Sequence, residues 1–351
     1  MSTHNINLTD YNYHLPHHLI ANQPVYPRDQ SRLLIYNTQK NTVELDRFIN
    51  LDYYLPSKSF LVLNDTKVIP SRISLFKANQ AKVGVLFLVN DIKQKDGYLL
   101  VKILVDKKVK VGESLFFPDK SSVRLIGQTK NVFNCQSRLS REELFLLLKK
   151  YGKMPIPLYI KNTPLKENTL RQAYQTIFAS VQGSAAAPTA SLHFTKRVFF
   201  RLNKKNIPQY FLTLHIGLGT FAPLSPENLL QKKLHREYYS VGNNQWQQIN
   251  RLKQEGNSLI AVGTTVVRTL ETIGLTNQLN GATSIFILPP FTFSYVNSLI
   301  TNFHLPQTSL MLLVEAFLQF KKAKKSLIEL YEIAIKHSFR FYSFGDAMLI
   351  I

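Results

Sequence analysis

Four histidines lie in or beside loops that follow predicted strands, where a side chain that gains and loses a proton near neutral pH can act on a ligand. They are His193, His215, His235 and His304. Their spacing matches no metal template such as His-Glu-x-x-His, so we predict no metal site. A single histidine is more often a hydrogen-bonded structural residue than a base. Four in such loops nevertheless predict that at least one works on substrate.

A second candidate site is the turn Gly263-Thr264-Thr265, between a predicted strand and a helical pattern. Free backbone N–H groups and two hydroxyls at a helix start suit a carboxylate or a phosphate. Either threonine could equally cap its own helix. Arg268, one turn later, could reach the same anion or pair with Glu271, three residues on.

The common nucleotide-binding motifs are not matched. The sequence has no Walker A motif, which argues against a P-loop NTPase. The segment from Gly217 to Ala222 reads G-x-G-x-x-A after a strand, but Pro223 follows and the next helix is predicted only near Pro226. Because a dinucleotide-binding helix begins inside its glycine motif, this segment fits that fold poorly.

The polar loops follow continuous apolar runs of strand length, which are typical of buried strands in an α/β fold. Ligands of such folds bind at the carboxyl ends of the strands, so these loops are the expected site. A helix is predicted from about Thr308 to Phe320. The predicted strands are Phe60 to Leu63, Phe211 to Ile216, Ser258 to Val262 and Ser284 to Leu288.

Between Ser71 and Tyr151 the pattern changes to short alternating stretches separated by turn signals. We predict a small all-β domain of residues 71–151, inserted into an α/β catalytic domain formed by residues 1–70 and 152–351. Ser140, with Glu143 three residues on, has the spacing of a capping box and predicts a helix to Lys150.

The charge predicts a polyanionic partner. Forty-three Lys and Arg against 22 Asp and Glu give a net charge of +21 in 351 residues. No basic segment has a broad apolar helical face, which favours nucleic acid over a membrane surface. The lone Cys135 cannot form an intramolecular disulfide, and no apolar run is long enough to cross a bilayer, so we expect a cytoplasmic protein.

Longer motifs are more specific. Those that carry a resemblance are RDQSRLL at 28–34, LNDT at 63–66, YQT at 174–176, AAPTASLHFT at 186–195, TLHIGLGTF at 213–221, HRE at 235–237, AVGTT at 261–265, TNFHLP at 301–306 and RFYSFGD at 340–346. In this order, from about Leu19 to the C-terminus, they resemble the S-adenosylmethionine:tRNA ribosyltransferase-isomerases of queuosine biosynthesis.

The resemblance implies an α/β domain like a distorted, incomplete barrel, with an inserted small antiparallel β-barrel. It implies a transferase that moves and isomerises the ribosyl moiety of S-adenosylmethionine onto 7-aminomethyl-7-deazaguanine at the wobble position of tRNA. The products would be epoxyqueuosine, adenine and methionine. S-adenosylmethionine would be a consumed substrate, so we expect no cofactor and no metal, and we expect a monomer.

That reaction needs a general base for the ribose C5′ proton, which the neighbouring sulfonium acidifies. The candidates are His215 and His193, with Asp65 third. His304 or Arg340 could donate to the departing adenine, and the methionine carboxylate fits the helix start at Thr264. The predicted substrate-binding residues are Arg32, Asn64, Thr264, Thr265, Arg268, Asn302, His304, Arg340 and Asp346, and the predicted RNA-binding residues are Lys107, Lys108 and Lys110.

Two other functions fit the same features. The family usually has glycine where Ser191 stands, so an RNA-binding protein of this fold with lost or reduced turnover is one alternative. An S-adenosylmethionine-dependent RNA methyltransferase is the other. Transfer of ribose or of methyl from S-adenosylmethionine to RNA, or of neither, separates the three.

Overall fold

The computed structural model describes residues 7–160, 162–217 and 224–351. The strands are β1 (Arg32–Asn37), β2 (Thr42–Arg47), β3 (Ser59–Asn64), β4 (Thr66–Val68), β5 (Arg72–Phe76), β6 (Lys82–Lys95), β7 (Tyr98–Val105), β8 (Ser114–Phe116), β9 (Ser122–Thr129), β10 (Val132–Ser137), β11 (Val181–Ser184), β12 (Gln209–Leu214), β13 (Lys233–Ser240), β14 (Ser258–Val262), β15 (Asn280–Ile285), β16 (Ser298–Asn302) and β17 (Ala347–Ile350). The helices are α1 (Leu51–Tyr54), α2 (Arg141–Tyr151), α3 (Glu167–Ala173), α4 (Lys196–Lys204), α5 (Pro226–Gln231), α6 (Asn243–Gln254), α7 (Thr264–Thr276), α8 (Ser309–Phe320) and α9 (Leu327–Lys336).

A large mixed sheet forms the centre of the molecule, with the strand order β15-β13-β12-β3-β14-β16-β17-β1-β2. The strands β12, β3, β14 and β16 are parallel neighbours. Alternate residues of β3 serve two apolar clusters, because Phe60 and Val62 face one and Leu61 and Leu63 face the other. A strand covered on both faces needs apolar side chains on both, which explains its continuous apolar sequence.

The apolar runs locate most of this sheet. Ser258 to Val262 coincides with β14, Phe60 to Leu63 lies inside β3, and the helix predicted near Thr308 is α8. The prediction for Ser284 to Leu288 is wrong, since β15 ends at Ile285 and pairs only at the sheet edge, while Ile287 is buried in the loop beyond it. The buried strand β16 was not predicted.

The strands β5 to β10 form a second, antiparallel sheet that closes on itself in the order β10-β7-β6-β5-β8-β9. Its interior is a separate apolar cluster. Helix α2 packs on it through Leu144 and Leu148, both fully buried, and its predicted capping box of Ser140 and Glu143 is present. The mixed α/β class is therefore confirmed. The incomplete barrel form of the larger sheet and the domain boundaries stay predictions.

The short parallel pair β4 and β11 connects the two parts of the structure near the candidate site. Strand β4 directly follows Asp65, after the end of β3. Over the described ranges, no helix has the length and apolar character needed to span a membrane.

Candidate active site

The carboxyl ends of β14 and β16 meet at a small cavity of about 40 Å³. The start of α7, the loop after β12 and the segment around Pro188 complete its walls. Such a volume holds little more than a water molecule or a small anionic group. Four of the predicted substrate-binding residues line this cavity: Thr264, Thr265, Asn302 and His304.

Helix α7 begins without a side-chain cap. Gly263 stands at the N-cap with φ +94°, a conformation that favours glycine, and neither following threonine caps the helix. Within the described structure the N–H groups of Thr264 and Thr265 have no hydrogen-bond acceptor. The interpretation that a threonine only caps its own helix is therefore wrong, and the free N–H groups suit an anion.

Asn64 ties this helix start to the sheet. Its Nδ2 donates to the Leu214 carbonyl at 3.0 Å and to Thr265 Oγ1 at 3.2 Å. Its Oδ1 accepts from the N–H groups of Thr66 and Leu214, each at 3.1 Å. Because these bonds use both ends of the buried amide, Asn64 positions the loops around the site.

Asn302 and His193 form a buried pair behind the cavity. Asn302 Nδ2 donates to the Asp346 carbonyl at 3.3 Å and lies 3.4 Å from His193 Nε2, while Ser31 Oγ is 2.8 Å from His193 Nδ1. Burial lowers the pKa of His193 to about 3, and the nearby guanidinium groups of Arg340 and Arg28 act in the same direction. His193 is therefore neutral, with both ring nitrogens engaged. Asn302 Oδ1 is buried and has no partner within the described ranges.

His304 is buried and lines the same small cavity as Asn302. Its Nε2 lies 2.8 Å from Thr301 Oγ1, and its backbone N–H donates to Tyr331 Oη at 2.7 Å. Burial lowers the pKa of His304 to about 3. At neutral pH it can offer a neutral N–H to a ligand but not an imidazolium proton.

His215 faces a different space, an open cleft of about 690 Å³ bounded by α2, β4 and β11. Thr66 Oγ1 is 2.8 Å from its Nδ1, and no acceptor or donor in the described structure occupies its Nε2. A side chain at Gly183 would approach the ring to 2.8 Å, so only glycine allows this contact. Burial, and then the positive charge of Arg141, lower the pKa of His215 to about 4.

Asp65 faces a third cavity, of about 360 Å³, with Ser180 and Thr213 in its wall. Its carboxylate accepts from Thr213 Oγ1 at 2.6 Å and from Ser180 Oγ at 3.0 Å. The three predicted bases, His215, His193 and Asp65, thus border three separate cavities.

Arg268 pairs with a residue that was not among the predicted site residues. It forms a buried ion pair with Glu237, whose carboxylate also accepts from the Gly217 N–H at 2.8 Å. The alternative pairing with Glu271 is wrong, because that carboxylate accepts three backbone N–H groups of residues 294–296. The HRE motif was the only sequence signal for Glu237. The rest of the glycine motif, residues 218–222, lies outside the described residues.

Three further predicted substrate-binding residues, Arg32, Arg340 and Asp346, are joined by hydrogen bonds. Buried Asp346 accepts from the N–H groups of Arg32 at 3.0 Å and Arg340 at 2.8 Å. The guanidinium of Arg32 donates to the His337 carbonyl and lies 4.2 Å above the Phe339 ring. Arg340 lines the small cavity beside His193.

The RNA-binding candidates Lys107, Lys108 and Lys110 are exposed in the loop between β7 and β8. They border none of the cavities that contain the predicted bases. In the part of the chain that the structure describes, no cluster of three or more His, Cys, Asp or Glu side chains could hold a metal ion.

An α/β sheet whose strand ends bring a helix start with free N–H groups next to histidines is typical of α/β proteins that bind ligands at the carboxyl ends of their strands. The family model described as queuosine biosynthesis protein matches residues 8–350. The chain therefore belongs to this family.

Curated relatives match over almost their whole length. The S-adenosylmethionine:tRNA ribosyltransferase-isomerase of Thermosipho melanesiensis is 42% identical over 347 residues, 98% of this chain and 99% of that protein. The enzyme of the same name from Sulfurihydrogenibium sp. is 38% identical over 345 residues, with the same coverage. The crystal structure of the S-adenosylmethionine tRNA ribosyltransferase of Thermotoga maritima is similar to this fold, with a TM-score of 0.54, 30% identity and coverage of 97% of this chain and 100% of that one.

Proposed function

We propose that this chain is an S-adenosylmethionine:tRNA ribosyltransferase-isomerase of queuosine biosynthesis. Family membership and end-to-end similarity to relatives of that name support this function. The observation that carries it is the position of His215 and Ile216 at the end of β12. Ile216 borders the small cavity at the start of α7, and His215 borders the large open cleft, so two sites of different chemistry lie on either side of one chain segment.

The small cavity suits the amino-acid end of S-adenosylmethionine. The N–H groups and hydroxyls of Thr264 and Thr265 would hold the methionine carboxylate. Asn302 Oδ1, a buried acceptor without a partner within the described ranges, would accept from the α-ammonium. Arg268 lies one helical turn further along α7, where it braces Gly217 through Glu237.

His215 is the best placed general base for the C5′ proton. Its Nε2 points to space that a substrate could fill, whereas both ring nitrogens of His193 and both oxygens of Asp65 are engaged. A neutral imidazole is ready to accept a proton across the neutral range. Thr66 holds its Nδ1, which orients the ring. Arg340, whose side chain is 29% exposed, remains the proposed donor to adenine. His304 lines the small cavity, which is too small for a base, so in this proposal it donates to the amino-acid end of S-adenosylmethionine instead.

The reaction consumes S-adenosylmethionine, so the proposal includes no cofactor. The tRNA would carry 7-aminomethyl-7-deazaguanine at the wobble position and leave with epoxyqueuosine, while adenine and methionine are released. The same proposal describes the protein as a cytoplasmic monomer whose larger domain is an incomplete α/β barrel. It also includes contact with RNA by Lys107, Lys108 and Lys110.

S-adenosylmethionine labelled separately in the ribose and in the methyl group tests the function. We expect ribose label on the tRNA and methyl label only in free methionine. Methyl label on the RNA would indicate a methyltransferase, and no label on RNA that still binds tightly would indicate a binding protein without turnover.

A further inference from the structure

The open cleft at His215 has a strongly positive mouth. Its lining includes the cations Lys67, Arg141, Lys149 and Arg171 against a single carboxylate, Glu142. Arg171 is committed to the fold, because it donates to Glu167 at 2.9 Å and to the Lys149 and Gly152 carbonyls. The other three form no ion pair among the described residues. Arg141 also donates to the Gln182 carbonyl at 3.4 Å, which leaves its charge without a counter-ion. Three cations without a carboxylate partner in the described residues thus line the cleft, where they could meet an anionic ligand.

The same cleft presents apolar surface to solvent. Leu146 on α2 is 65% exposed and Val181 on β11 is 40% exposed. Phe145 is half-buried, with the guanidinium of Arg141 centred 5.1 Å from its ring. Single-stranded nucleic acid is held by this combination, since cations track the phosphates while apolar and aromatic faces receive unstacked bases. A protein partner of acidic character would match the charge but would not explain why His215, the proposed base, lies in the wall of the same cleft.

The size of the cleft adds a geometric argument. At about 690 Å³ it is large enough to hold a nucleoside, and His215 lies in its wall with Nε2 available. The small cavity on the other side of Ile216 is far too small for a base. A nucleotide turned out of its loop could reach His215 only through the open cleft.

We infer that the cleft between α2 and β11 is the docking surface for the anticodon loop of tRNA, with Lys67, Arg141 and Lys149 on its phosphates and the target base entering toward His215. This inference rests on the proposed function and gives the RNA a defined face of the protein. On this inference, the exposed lysines of the β7–β8 loop lie at the edge of the RNA contact and not at its centre.

Cysteine footprinting tests the surface without requiring turnover. The natural Cys135 is buried, and burial raises its pKa to about 12, so it reacts little with iodoacetamide. L146C places a reactive thiol in the cleft. L275C is the matched control, because Leu275 is 69% exposed and lies roughly 16 Å along α7 from its start.

With substrate tRNA at about ten times its Kd, roughly a tenth of the protein is free, so alkylation of L146C should slow about ten-fold while L275C is unaffected. Equal protection at both positions, or none at 146, overturns the inference. Ribosyl transfer by the unmodified protein is measured alongside, so failure of the proposed function is recognised separately.

Charge removal gives an independent measurement. The triple variant K67Q, R141Q and K149Q should flatten the log–log salt dependence of tRNA binding by about 2, since each phosphate contact on a single strand contributes roughly 0.7. K107Q, K108Q and K110Q together remove the same charge from the β7–β8 loop and should change the slope less. If the β7–β8 loop variant changed the slope more than the cleft variant, the anticodon loop would bind elsewhere. Thermal unfolding of both variants shows whether each is folded.

Discussion

At the scale of single residues, the site depends on which ring and amide atoms remain available. His193, His304 and His215 are all held by a hydroxyl, yet only His215 presents a ring nitrogen to an open cleft. Of these three, His215 is therefore the histidine that a ligand in the cleft could reach, which is why we propose it as the base.

Replacement of His215 by Gln should lower kcat by about 10² to 10⁴, the usual contribution of general acid–base catalysis. Gln retains a hydrogen-bonding side chain near Thr66 but cannot act as a base, so the Kd of both substrates should stay within a few-fold. H235Q, at an exposed histidine, is the control. Single-turnover kinetics decide the matter, and near-normal turnover of H215Q would transfer the role to His193 or Asp65.

Replacement of Thr264 and Thr265 together by Val keeps their shape but removes two hydroxyls from the small cavity. We expect the KM for S-adenosylmethionine to rise roughly a hundred-fold or more, because hydrogen bonds to a charged group are worth about 1.5–3 kcal/mol each and two are lost, with tRNA affinity unchanged. T272V, a buried change later in the same helix, controls for the loss of a threonine. An unaltered KM in the double variant would place the carboxylate elsewhere.

The buried histidines also predict how stability depends on pH. His193 and His304 have pKa values lowered to about 3 by burial, so below about pH 6.5 the unfolded chain binds protons that the folded protein does not. The free energy of unfolding should therefore fall as pH drops from 6.5 toward 3, by up to about 1.4 kcal/mol per pH unit for each histidine.

Urea unfolding at several pH values between 7 and 4.5 measures this dependence. H304Q should make the profile flatter by the share of one histidine, while T272V, which removes no titratable group, should leave its shape unchanged. Parallel profiles for H304Q and the unmodified protein would show that His304 becomes charged without unfolding.

At the scale of elements, helix α2 lies between the closed sheet and the cleft at His215. Its apolar side anchors it to the closed sheet through Leu144 and Leu148, and its other side forms the wall of the cleft. Burial of each leucine contributes roughly 1.5–3 kcal/mol, which fixes this wall in place.

Loss of the capping box of α2 should affect stability and RNA binding together. S140A removes the Oγ that accepts from the Glu143 N–H at 3.1 Å and should cost about 1 kcal/mol of stability. Because Arg141 begins this helix, tRNA affinity should fall while the S-adenosylmethionine Kd is retained. S326A removes the equivalent cap from α9, which borders no part of the cleft, and should cost similar stability without weakening tRNA binding. If the two variants weakened tRNA binding equally, α2 would not be part of the RNA site.

At the scale of the whole molecule, a net charge of +21 provides a long-range attraction for tRNA. The log–log salt dependence of tRNA binding should have a slope steeper than about −3, since each neutralised phosphate contributes roughly −0.7 to −0.9. Fluorescence titrations from low to high salt measure it. A slope near zero would mean that the basic clusters serve solubility alone.

Local features could be predicted from the sequence because they depend on residues that are close together along the chain. Strand β14 follows from an apolar run, α2 from a capping box, and the start of α7 from a glycine turn after a buried strand. The family motifs gave the function. Strand β16 was missed because Ser298, Thr301 and Asn302 leave it an apolar run of only two residues, and its position between β14 and β17 is what buries it.

The assembly of the site was decided by the tertiary structure. Asn64 and Asp65 are neighbours in sequence, but side chains alternate sides along an extended chain. The amide of Asn64 therefore bonds to the start of α7, whereas the carboxylate of Asp65 faces a separate cavity. Arg268 has Glu271 at helical spacing, yet β13 brings Glu237 to it from across the fold. Sequence alone determined the chemistry available at the strand ends, and only the packing of distant segments determined which cavity each group faces, because side-chain partners come from elements that are remote along the chain.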